Sequence, residues 1–133
     1  IGQGGAKSLG FTPNTIGSFS EALECANGFS TTLTSSVDSH VFCVEDIARQ
    51  NDKVKYDLAH HLSEDSFFKI GQRRLDEMMA EEISALRLKN GEKIVPLKQT
   101  LELLKNYPDC EVLLKLRGEA VVKDTLTILK NAI

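Results

Sequence analysis

With 133 residues, the chain is long enough for one domain with a core of its own and too short for several. It is 41% hydrophobic and 26% charged with a net charge of −3, which leaves no basic footprint for nucleic acid or for an anionic membrane surface. No apolar run approaches the ~20 residues of a membrane span.

In chain order, Ile1 reads as the tail of a first strand, followed by a loop made permissive by Gly2, Gly4, Gly5 and Gly10 and closed by Pro13. From about Thr15 to Asn27 the apolar residues Ile16, Phe19, Leu23 and Ala26 recur at helical spacing, with Thr15 as N-cap and Asn27-Gly28 as the stop. The stretch from Phe29 to Ser36 is rich in β-branched Thr and reads as a strand. Val41-Phe42-Cys43-Val44 reads as the next, with Asp38-Ser39 in the turn between them. Residues 47–75 form an irregular excursion with short helical turns, because Asn51-Asp52, Ser63-Glu64-Asp65 and Gly71 break any long period. A short amphipathic helix is expected over Asp76–Leu86 through Met79, Ile83 and Leu86, and a second from Leu97 to Asn106 through Leu97, Leu101 and Leu104. Glu111 to Arg117 alternates as a strand, and a last helix runs from Glu119 to Ala132. Strands alternating with helices indicate an α/β architecture with a parallel sheet.

Cys25, Cys43 and Cys110 are odd in number and far apart, so they suggest three small buried hydrophobes rather than disulfides or a zinc site. His60-His61 with Glu64 and Asp65 lacks metal-motif spacing and reads as a solvated polar loop. His40 has no Ser or Cys arranged with a third orienting group, which makes a catalytic triad weak. Because the chain opens at Ile1 rather than Met, a preceding segment is expected to have been removed, and any targeting signal with it. Localisation therefore stays unknown.

The opening Gly2-Gln3-Gly4-Gly5, Pro13-Asn14-Thr15, Ser18-Phe19 and Glu21-Ala22-Leu23 resembles that of the glycerophosphodiester phosphodiesterase family, which begins with a strand, a His-Arg-Gly turn and Pro-Glu-Asn-Thr. Gly91-Glu92-Lys93-Ile94-Val95-Pro96-Leu97 resembles that family's Gly-Glu-x-Ile-Pro-Thr-Leu segment, with Val95 inserted. The resemblance implies a (β/α) barrel, of which this length covers about half. The expected fold is therefore a partial TIM-type (β/α) barrel over residues 1–133, the N-terminal half of a barrel.

The resemblance also implies where chemistry should sit, and there the residues differ. Family members hold a divalent cation with a Glu-x-Asp pair and a Glu-x-Lys strand, and use two histidines as acid and base. Hard cations need such oxygen ligands, and the leaving alkoxide needs a group titrating near neutrality. Here Gln3 stands at a catalytic histidine and Gly4 at its arginine. Glu-x-Asp falls on Thr32 and Thr34, His-Asp on Glu45-Asp46, and Glu-x-Lys on Lys115 and Arg117. No acidic residue lies from Phe29 to Val37, so a small shift in alignment restores nothing.

Alternation puts Lys115 and Arg117 on one face of their strand, where cations oppose a metal but suit an oxyanion. The same pair is equally read as solvated or internally neutralised, with Glu45 as a partner. The function expected is that of a catalytically inactive phosphodiesterase-like domain with no cofactor and no metal. It would bind an anionic phosphate-type small molecule, or assemble as a homo-oligomer or with a missing barrel half. One alternative is a phosphoric diester hydrolase of lipid metabolism with a non-standard site of Glu45, Asp46 and Gln3; the other is a purely structural or interaction domain.

Overall fold

The computed structural model describes residues 2–3, 14–25, 28–44, 49–50, 53–54, 61–71, 73–116 and 119–132. Its centre is strand β2 (Gly28–Ser35), whose eight residues are all buried. One edge of β2 pairs in parallel with β7 (Glu111–Leu116) from Gly28↔Glu111 to Leu33↔Leu116. Other residues of β2 pair in parallel with β1 (Gly2–Gln3) and in antiparallel fashion with β3 (Val41–Cys43). β3 in turn pairs antiparallel with β6 (Val95–Pro96). The result is a partial (β/α) barrel: β1, β2 and β7 are parallel as expected, β3 alone of this sheet's described strands reverses direction because it returns through a tight hairpin, and β6, antiparallel to β3, runs the same way as β2.

Helix α1 (Ile16–Cys25) starts where the sequence predicts, since Ser18 N donates to Thr15 Oγ1 at 3.1 Å. Its buried face carries Phe19, Ala22 and Leu23 onto β2, where Phe19 stacks on Phe29 with ring centroids 4.2 Å apart. Full burial of two such rings stabilises the fold by roughly 1.5–3 kcal/mol each. Asn14, at φ 59°, accepts a 2.8 Å hydrogen bond from Thr31 Oγ1, so the residue leading into α1 is tied to β2.

The excursion holds a small antiparallel pair, β4 (Arg49–Gln50) with β5 (Lys53–Val54), and helix α2 (Glu64–Ile70), capped by Ser63. The single helix expected over 76–86 is instead two pieces: a 3-10 turn at Leu75–Glu77 and helix α3 (Ala80–Ala85). The break lies where the hairpin turn docks. Val37 N donates to Met78 O at 2.9 Å, and Ala80 N donates to Asp38 Oδ1 at 2.9 Å, so both backbone groups are diverted from a continuous helix. The apolar periodicity survives the split, with Leu75, Met78, Ile83 and Leu86 all buried.

Helix α4 (Leu97–Leu104) and the last helix, α5 (Glu119–Ala132), complete the chain. The sheet separates two cores. Phe42 and Val44 face Leu62, Ile70, Leu75, Met78 and Ile83 on one side, while Phe29, Leu33, Val41 and Cys43 face α1, α4 and α5 on the other. Ser35 Oγ donates to Asp124, which ties the end of β2 to α5. Among the described residues, no helix is long and apolar enough to cross a membrane.

Candidate functional site at the inner face of the sheet

Because side chains alternate along a strand, Thr32 and Thr34 of β2 face the same side as Phe42, their neighbour on β3. Across the edge shared with β7, Thr32 is in register with Lys115 and Ser30 with Leu113, while across the opposite edge Ser30 is in register with Gln3 of β1. The structure therefore brings four of the seven candidate positions, Gln3, Thr32, Thr34 and Lys115, onto one group of neighbouring strands. For Gln3 this concerns the backbone register alone. Glu45, Asp46 and Arg117 lie outside the described residues, as do His60 and the loop of Gly4, Gly5 and Gly10.

Thr34 is buried, and its hydroxyl already donates to Val44 O at 2.8 Å. Thr32 is 8% exposed, and Lys115, one strand away, is exposed. Paired strands lie roughly 5 Å apart, so a hydroxyl-bearing residue and an ammonium-bearing residue are backbone neighbours whose side chains leave the same face of the sheet. Together they can donate to an oxyanion. They do not fit a divalent cation, which needs several oxygen ligands carrying negative charge, and no step of metal catalysis follows from them. Among the described residues, no three of His, Cys, Asp and Glu come together as ligands.

Sequence reasoning missed Ser30 and Leu113, which share this face; the signal was the same two-residue alternation that singled out Thr32 and Lys115. At the hairpin turn, His40 N donates to Ser36 Oγ at 3.0 Å, and Ser36 Oγ donates to Asp38 Oδ1 at 2.5 Å. The serine proton goes to the carboxylate and not to the His40 ring, an arrangement that braces a turn rather than activating a nucleophile. The hydrogen bond from Ser36, then that from Ala80, holds the Asp38 carboxyl below the usual carboxylate range. Cys43 is buried against Thr100 Oγ1 at 3.2 Å, and burial pushes its thiol up to about 12.

The strand pairing and the flanking helices define a partial TIM-type (β/α) barrel. Solved structures with this arrangement are glycerophosphodiester phosphodiesterases. That of Parabacteroides distasonis ATCC 8503 is 19% identical with a TM-score of 0.69, and the match covers 99% of this chain and 50% of that one. The enzyme of Thermotoga maritima is 22% identical, with a TM-score of 0.64 over 98% of this chain and 49% of that chain. The enzyme of Agrobacterium tumefaciens is 16% identical, with a TM-score of 0.71 over 98% and 52%. The chain thus has a glycerophosphodiester phosphodiesterase-like fold and spans about half the length of the structures it matches. No protein-family model matches it, and no curated protein does.

Proposed function

We propose that residues 1–133 form a glycerophosphodiester phosphodiesterase-like domain without metal-dependent hydrolysis, which holds an anionic phosphate-type group at the inner face of its sheet. The observation that carries this reading is the register of Thr32 with Lys115. At two places where the resemblance puts metal-binding carboxylates, the chain has a neutral hydroxyl and an exposed cation. Gln3 and Arg117 are the further candidates for the same anion, Thr34 shapes its floor, and the carboxylates Glu45 and Asp46 are candidates as partners of the cations or as members of a non-standard site.

A second reading, assembly, is favoured by exposed apolar side chains on β7 and on α5. Leu113 is 56% exposed on that strand, and Leu126 is 59% exposed on α5. Exposed apolar patches on folded domains mark interfaces, and the occupant here is a second copy or the other half of a barrel.

One set of measurements on the purified chain tests these readings: glycerophosphocholine turnover with magnesium or calcium, phosphate titration by calorimetry, and light scattering. The expected result is hydrolysis at the buffer rate with saturable, metal-free phosphate binding that Lys115→Ala weakens. Removing acid–base groups alone lowers rates by about 10²–10⁴-fold, so the difference from an active enzyme is easily read. Metal-stimulated release of choline or glycerol 3-phosphate overturns the inactive reading in favour of hydrolysis through a non-standard site. A concentration-dependent oligomer without phosphate binding favours assembly alone.

A further inference from the structure

On the opposite side of the sheet from Lys115, the hairpin turn, α4 and α5 enclose an open groove of about 540 Å³. That volume suits a small organic molecule rather than a bare ion. We propose that this groove binds a small organic anion carrying a single oxyanion group on a partly apolar body.

The charge count comes from α4. Lys98 and Lys105 both line the groove and lie seven residues apart, two turns along one helix face, or roughly 10.5 Å. Lys105 is committed to Glu102 at 3.0 Å, whereas Lys98 makes no ion pair among the described residues. One uncommitted ammonium matches one anionic group. His40 and Ser39, from the hairpin turn, add polar hydrogen-bonding groups to the same lining.

The body of the ligand is set by the remaining lining. Leu101 and Ile128 are half-buried and pack against the core below, so they supply apolar contact. Thr127 and Asn131, one turn apart on α5, place a hydroxyl and an amide beside them. Thr127 Oγ1 donates to Lys123 O at 3.1 Å, so its proton is committed and the oxyanion is left to the Lys98 end of the groove. A bare phosphate would use the Lys98 end and none of this apolar surface.

Phenyl phosphate and benzoate are the probes, with inorganic phosphate as the head alone and benzyl alcohol as the body alone, followed by backbone amide NMR. Saturable shifts are expected at Lys98, Leu101, Thr127 and Asn131 with phenyl phosphate or benzoate, whichever oxyanion is preferred, and weaker binding of either part alone. Lys98→Gln, an exposed helix position, should raise the dissociation constant about tenfold, and Lys115→Ala should leave it unchanged. Shifts that spare these residues, that disappear with Lys115→Ala, or that persist undiminished in Lys98→Gln overturn the proposal. Equal affinity for inorganic phosphate at these residues likewise overturns it.

Discussion

Replacing Gly28 by Ala tests the contact between the two longest strands. Gly28 begins β2 at φ 145°, in register with Glu111 of β7. An added Cβ would stand 1.7 Å from Glu111 O and 2.7 Å from its carbonyl carbon. Both are backbone atoms of the paired strand, so no rotamer change makes room, and the first pairing of β7 must open. The backbone conformation costs about 1–3 kcal/mol for a residue with a side chain, and each hydrogen bond lost adds about 0.5–1.5 kcal/mol. With two such bonds lost the expected loss is about 2–6 kcal/mol, a large part of the roughly 5–15 kcal/mol that domains possess. Gly71→Ala is the control: its φ is 63° and ψ −124°, yet nothing lies within 4 Å of the added Cβ, so the backbone conformation alone costs about 1–3 kcal/mol. Urea denaturation followed by circular dichroism measures both. A Gly28→Ala loss no greater than that of Gly71→Ala would refute the close approach of β2 and β7.

Two other outcomes follow from the titrating groups. Cys43, at about 12, is thiolate in only roughly one molecule in ten thousand at pH 8, so native alkylation with iodoacetamide should spare it while modifying half-buried Cys110; equal labelling in peptide maps would contradict this. Asp38 has a lowered folded-state pKa, so its contribution is fully present above its ordinary value of 3.8 and lost as pH falls through the folded value. Asp38→Asn should accordingly lower the melting temperature at pH 7 and lower it less as the pH falls below 3.8, and an equal deficit across that range would count against the bracing role.

Local signals were legible wherever the chain's own neighbours decide structure. The spacing of Ile16, Phe19 and Leu23 and the cap at Thr15 specify α1, and the run from Leu97 to Leu104 specifies α4. The division of the expected 76–86 helix was not legible, because its cause is the hairpin turn some 40 residues earlier, through Val37 and Asp38. Nor was β6, two residues long and ending in Pro96, which reads as the approach to a helix until β3 supplies its partner. β2 illustrates both sides. Its Thr and Ser residues announced a strand, but their complete burial arises from partners on both edges and cores on both faces. At the candidate site, alternation put Lys115 and Arg117 on one face of their strand, whereas the register of Lys115 with Thr32 is a long-range fact of strand pairing that local pattern does not encode.

The direction of β7 carries a consequence for symmetry. Its far edge has no strand partner among the described residues, and it runs parallel to β2. A strand that continues the barrel must join β7 in the same direction, with evenly spaced, slanted hydrogen bonds. A copy related by a two-fold axis perpendicular to the sheet arrives in the opposite direction, with paired perpendicular bonds instead. A symmetric pair joined at β7 would thus form one mixed sheet running across both chains, not a barrel with a seam. The handedness of crossover connections, which curls a parallel sheet towards closure, would end at the dyad.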